Sequence, residues 1–209
     1  MMKTNEREYR DFKLAILTED DNSEDTRQIV HGYASTFNEP YELFEVDGTK
    51  YMEQIDARAF NNADMSDIIF QYNHEGRVFA RQSNGTLTVS PDEHGLHITA
   101  DLGGTEIGRG LYEEIKGGYT DKMSFGFRVA SDKWEEQRQD DGTIFNIRTI
   151  TGISKVYDVS AVSIPANDGT TISVRNLQNG VIERIKAERL KELELERRKL
   201  LLKLKITNH

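Results

Sequence analysis

Residues 122–129 read KMSFGFRV, and this stretch decides the fold class. Met123, Phe125, Phe127 and Val129 alternate with Ser124, Gly126 and Arg128, a period of two that predicts a β-strand with one apolar and one polar face. Ser124 shares the polar face with a glycine, which leaves room beside its hydroxyl. Upstream, Ile107, Leu111 and Ile115 recur every fourth residue, and Gly117-Gly118 ends that pattern, so a helix over 105–116 should feed the strand through a tight turn. The spacing thus offers Ser124 either as an ordinary strand serine or as an exposed nucleophile on a rigid support.

Working outward, most of the chain follows the same short-strand pattern. A first strand is expected in the apolar island Phe12 to Leu17, followed by a polar loop over 19–26. Arg27 to Phe37 predicts a strand with a bulge near Gly32. Tyr41 to Ile55 predicts a hairpin turning at Asp47-Gly48, and Asp56 an N-cap for a short helix. Asp67 to Tyr72 predicts a buried strand that runs into Asn73-His74-Glu75-Gly76. A hairpin is expected around Asn84-Gly85, and 94–102 alternates as a strand. Residues 132–141 read as a charged connection, and 143–150 and 153–164 as two further strands separated by Gly152. Many short strands with few helices predict a mainly β, α+β domain: a small closed or partly open β-barrel with peripheral helices.

From Val181 the composition shifts to Glu, Lys, Arg and Leu without glycine or proline. Ile182, Ile185, Leu190, Leu193, Leu200, Leu201 and Leu204 fall on one broad helical face, interrupted in heptad register by Arg189 and Arg197. The expected organisation is an N-terminal strand and loop over 1–26, a β domain over 27–176 and an amphipathic helix over 177–209, serving as a docking element, a dimer seam or a removable tail.

The bulk properties exclude several classes. A net charge of -9 argues against a nucleic-acid binder, whose affinity rests on neutralising phosphates. No apolar run is long enough to cross a bilayer, and the N-terminus lacks the apolar core of a signal peptide. The chain has no cysteine, so thiolate chemistry and disulfides are absent. No metal or other cofactor is expected. A zinc site built from His74, Glu75, His94 and His97 lacks the helical spacing such sites use.

A serine nucleophile needs a base and a group that orients the base. Of the five histidines, His74 stands apart because it ends an apolar strand, where a rigid frame can present it. Asp158 lies inside the otherwise apolar KVYDVSAV, where a carboxylate must be paired to be tolerated. An imidazole N–H would satisfy it; so would Lys155 or an arginine.

MSFGF after the Gly-Gly turn, the strand-end YNHE and the late DVSAVSIPAND together resemble the three signature blocks of the tailed-phage prohead protease family, which is similar to the herpesvirus assemblins. HGYASTFN, IDARAF and HGLHITADL extend the resemblance across about Val30 to Val174. The resemblance implies Ser124 as nucleophile and His74 as general base. The family usually carries glutamate where this chain has Asp158; in the herpesvirus relatives the third member is a histidine, which keeps His97 and His31 as alternatives. Arg128, Arg148 and Gly126 are candidates for the oxyanion or substrate contacts. The implied activity is a serine endopeptidase acting in the assembling prohead of the host cytoplasm on capsid or scaffold protein and on itself, as a homodimer or higher oligomer. The competing reading is a non-enzymatic assembly protein acting through its C-terminal helix.

Overall fold

The computed structural model describes residues 7–13, 27–163 and 172–207. The strands are β1 (Glu8–Lys13), β2 (Ile29–Thr36), β3 (Tyr41–Val46), β4 (Thr49–Ile55), β5 (Ile69–Tyr72), β6 (Glu75–Arg81), β7 (Leu87–Pro91), β8 (Gly95–Asp101), β9 (Lys122–Arg138) and β10 (Ile144–Val162). Helix α1 spans Glu106–Lys116 and α2 spans Ile172–Thr207. The chain divides into two compact units, Met1–Ser173 and Val174–His209.

The first unit is mainly β, but its described strands do not close into the expected barrel. One sheet runs β1-β9-β10-β4-β3, with β5 and β6 branching from β10; a second runs β2-β8-β7. Strand β10 is the reason for the fork. Its first half pairs in parallel with β4 and its second half in parallel with β5, while β9 lines its other side throughout. Register shifts near Gly152 and between Val156 and Asp158 bend it, as bulges do. A strand that changes partner midway splits the sheet.

Several local expectations are revised for related reasons. Residues 132–138 continue β9 as an exposed arm, because their backbone ladders onto 144–150 whatever the charge of the side chains. The two late strands are one, with Gly152 a bulge inside it. After Asp56 there is a series of turns and no helix: the Asp56 carboxylate accepts from the backbone N–H of Arg58, closing a local turn. The Asn84-Gly85 segment joins two sheets, since β6 pairs with β5 and β7 with β8. In the first strand the paired residues are Glu8–Lys13, displaced toward the N-terminus; residues 14–26 lie outside those described. The Asp47-Gly48 hairpin has φ of 52° and 73°, the all-positive pair that suits a two-residue turn between twisted strands.

The apolar faces of both sheets meet α1 in one core. Phe125, Phe127, Val159 and Ala161 from β9 and β10 join Leu96, Ile98 and Ala100 of β8 and Leu111 and Ile115 of α1. Thr105 caps α1, its hydroxyl accepting from the Gly108 N–H at 3.0 Å. In α2, Leu190, Leu193 and Leu195 are exposed.

A buried ionic network ties β1, β4 and β10 together. Arg10 donates to Glu53 at 2.5 and 3.0 Å and to Glu8 at 2.6 Å. Arg148 donates to Glu53 and Glu8 at 2.9 Å each, and to Asp132 at 2.7 Å. Tyr41 donates to Glu53 at 2.5 Å. Burial alone would raise the Glu53 carboxyl, but Arg10 and Arg148 with the hydrogen bonds of Arg10 and Tyr41 hold it below the usual range. A carboxyl depressed on folding stabilises the native state above its unfolded pKa, about 4.3, and that contribution is lost as pH falls through the lower folded value. Glu53→Gln should therefore cost about 3–5 kcal/mol near neutral pH, by leaving two buried cations short of a partner. Denaturant unfolding as a function of pH checks this: the variant's stability should also fall less steeply below pH 4 than that of the wild type.

Candidate active site

Ser124, His74 and Asp158 come from three neighbouring strands or their turn. In the second half of β10, Ser160 faces Ser124 of β9 on one side, and Ala161 faces Tyr72 of β5 on the other. The β5–β6 turn therefore sits across β10 from Ser124, two strand spacings away, within reach of an imidazole.

The turn itself is unusual for its residues. Asn73 and His74 have φ of 51° and 60°, the paired left-handed conformation of a two-residue hairpin that ordinarily takes Asn-Gly. Asparagine tolerates it; histidine at that position carries strain of about 1 kcal/mol or more. Asn73 pins the turn to the end of β10: its N–H donates to the Ala161 carbonyl at 2.9 Å, and its side-chain oxygen accepts from the Ser163 N–H at 3.1 Å. The conformation aims the ring back over the sheet. His74 Nε2 lies 2.6 Å from Ser124 Oγ, and His74 Nδ1 lies 2.5 Å from Asp158 Oδ2. A carboxylate can only accept, so Nδ1 carries the proton, and in the neutral ring Nε2 is then the nitrogen that can accept from the serine hydroxyl.

Asp158 owes its direction to a bulge. Val156 is level with Phe127 and Asp158 with Gly126, so two steps along β10 match one along β9. Strict alternation would put Asp158 on the same face as Val156, which is in the core. The extra residue, Tyr157, turns Asp158 to the opposite face, beside Ser124. The shorter acid reaches the imidazole because the backbone brings it there. Asp158 is fully buried (0% exposed), with three partners on its oxygens: His74, Arg7 on Oδ1, and the Ser160 hydroxyl, which donates to Oδ2 at 2.9 Å. Ser124 is also 0% exposed. It lies on the polar face as the alternation requires, yet it is buried and not exposed.

The other sequence candidates stand differently. Gly126 does not leave open space: a Cβ there would lie 2.4 Å from Asp158 Oδ1 and 2.9 Å from both Arg7 Nε and Tyr9 Cε1. Its missing side chain makes room for the acid and its neighbours. Arg148 belongs to the buried network beneath the sheet, its guanidinium engaged by Glu8, Glu53 and Asp132. Arg128 follows Gly126 on the same face of β9, 5.8 Å from the Tyr157 ring. His31 and His97 lie on the β2–β8 sheet with ring centroids 6.1 Å apart, His97 packing on Tyr33 at 5.1 Å. It is Asp158 that contacts His74. Among the described residues, His, Asp and Glu form no group of three that could hold a metal ion.

Sequence reasoning missed Arg7, Tyr9 and Ser160. Ser160 was within sight, since it follows Asp158 by two residues and a strand puts both on one face. Arg7 and Tyr9 had no local signal. The Tyr9 ring packs against His74 with centroids 4.3 Å apart. Gly126→Ala should push Asp158 and Arg7 apart from β9 and cost roughly 1–3 kcal/mol as overpacking. Denaturant unfolding measures the cost, and a crystal structure of the variant should show the Asp158–His74 contact lengthened.

Residues 14–184 match the family described as caudovirus prohead serine protease. The prohead protease of Escherichia phage T5 is 28% identical over 116 residues, which cover 56% of this chain and 50% of the relative. The chain thus spans about half the length of that curated relative. No solved structure matches. With a match over most of its length, the chain belongs to the caudovirus prohead serine protease family.

Proposed function

We propose that the protein is a serine endopeptidase of prohead maturation, with Ser124 as nucleophile, His74 as general base and Asp158 as the acid that orients it. The observation that carries this reading is the continuous hydrogen-bonded chain from Ser124 Oγ through both ring nitrogens of His74 to a buried carboxylate. Ser124 attacks a peptide carbonyl while His74 Nε2 takes its proton. Asp158 stabilises the imidazolium that forms and keeps the ring oriented. The imidazolium then protonates the leaving amine, and a water activated by the same nitrogen hydrolyses the acyl-enzyme.

The substrates on this reading are segments of capsid or scaffold protein, and the chain itself, inside the assembling prohead. The enzyme would work as a homo-oligomer, with α2 as a docking or removable tail. The exposed Leu190, Leu193 and Leu195 favour a second role for that helix, in self-association or docking during assembly. An assembly role alone would leave the hydrogen-bonded chain at Ser124 without a use.

A fluorophosphonate probe should label Ser124 in the wild type and lose its target in Ser124→Ala. His74→Ala should cut the labelling rate at least roughly ten thousand-fold, and Asp158→Asn by about 10⁴-fold, through loss of the productive tautomer. Labelling that survives in His74→Ala at the wild-type rate would sink the assignment. In cells making capsid and scaffold proteins, wild type should trim them and Ser124→Ala should not. Mass spectrometry of the two forms should show a shortened chain only in the wild type; identical full-length masses throughout assembly would rule out self-trimming.

A further inference from the structure

We propose that Arg7 is a positioning residue: its guanidinium fixes the Asp158 carboxylate so that Oδ2 stays aimed at His74 Nδ1. The proposal rests on the Ser124–His74–Asp158 reading above and adds a residue that precedes the family-matched segment 14–184.

The argument begins with the cost of the acid. Asp158 is fully buried, and a carboxylate there needs donors on both oxygens and a compensating cation. His74 and Ser160 both sit on one oxygen, Oδ2. Arg7 bonds to Oδ1 and supplies the positive charge. Without it, one oxygen of a buried carboxylate would have no partner among these groups. The carboxyl would then be free to rotate toward other donors, taking Oδ2 off the line to His74.

Arg7 is itself held in place. Its guanidinium lies 4.4 Å from the centroid of the Tyr157 ring and 5.3 Å from that of Tyr9, distances at which the ring faces attract a cation. Tyr157 is the bulged residue that turns Asp158 toward the site, so one local feature of β10 supplies both the acid and the holder of its counter-ion. Tyr9, two residues after Arg7 and so on the same face of the chain, packs on the His74 ring. Asp158, Arg7 and Tyr9 crowd together at the side-chain position that Gly126 leaves empty. Among the described residues, the hydrogen bonds of Arg7 lead neither to Ser124 nor to His74, which makes it a support for the acid and not a contact to the reacting atoms.

The test uses the full chain and the saturation kinetics of a fluorophosphonate, which separate the maximal labelling rate from the concentration that gives half of it. Arg7→Met keeps the stem over Tyr157 and removes charge and donors. It should lower the maximal rate about tenfold or more, as loss of an outer partner of a site does, and leave the half-saturating concentration unchanged. Arg7→Lys, which keeps the charge, should recover most of the loss. Where Arg7→Met does not fold, Arg7→Gln takes its place with the same expectation. A maximal rate equal to wild type overturns the proposal. So does a higher rate, which would make β1 a cover whose release frees the buried serine, and so does a loss that Arg7→Lys fails to repair. If the wild type itself leaves Ser124 unlabelled, the catalytic reading falls and this inference with it; if the wild type is labelled and Arg7→Met matches it, only the inference falls.

Discussion

The structure turns on a carboxylate with no access to water. Asp158 is buried at the centre of a sheet, in a strand whose neighbours are apolar, and an ion there is tolerated only when it is paired and hydrogen-bonded. Meeting that need draws in four separate parts of the chain: the turn that carries His74, the strand segment that carries Ser160, the N-terminal strand that brings Arg7, and the position that must be glycine so the others fit. The geometry at Ser124 follows from that arrangement, because the ring bonded to Asp158 has its second nitrogen over the hydroxyl.

The same strand makes a second buried charge cluster on the other side of the sheet. Glu53 and Arg148 lie beneath it with Glu8 and Arg10, two carboxylates against two guanidiniums, with Asp132 at the margin. Both clusters recruit β1, one from each face: Glu8 and Arg10 inward, Arg7 and Tyr9 toward the site. Among the described residues β1 ladders only with β9, and side chains on both faces fix it. Burial of paired charge adds little net stability compared with an apolar core, but it penalises any register except the one that pairs every charge.

Backbone conformation supplies what side-chain type cannot. A histidine in a left-handed turn and an aspartate behind a bulge both depart from the regular pattern of their strands, and local irregularity of this kind gathers where function needs a side chain re-aimed. The strain in the turn is offset by the bonds from Asn73 to the end of β10 and by the two hydrogen bonds of the imidazole.

The sequence by itself determined the strand-rich class, the alternation that puts Ser124 on a polar face, the helix before it, and which histidine and which acid deserved notice, because these depend on periodicity and on the cost of polar residues in apolar runs. It also held the signature blocks of the family. Only the tertiary structure decided that the strands form two open sheets, since one long strand changes partner midway and nothing local to 144–162 records which strands will flank it. It alone turned Gly126 from open space into an occupied niche, moved Arg148 to a buried network, and brought Arg7 from the N-terminal strand to Asp158. Those outcomes rest on contacts between residues more than a hundred positions apart along the chain or on strands whose pairing is set elsewhere, and short-range pattern carries no information about them.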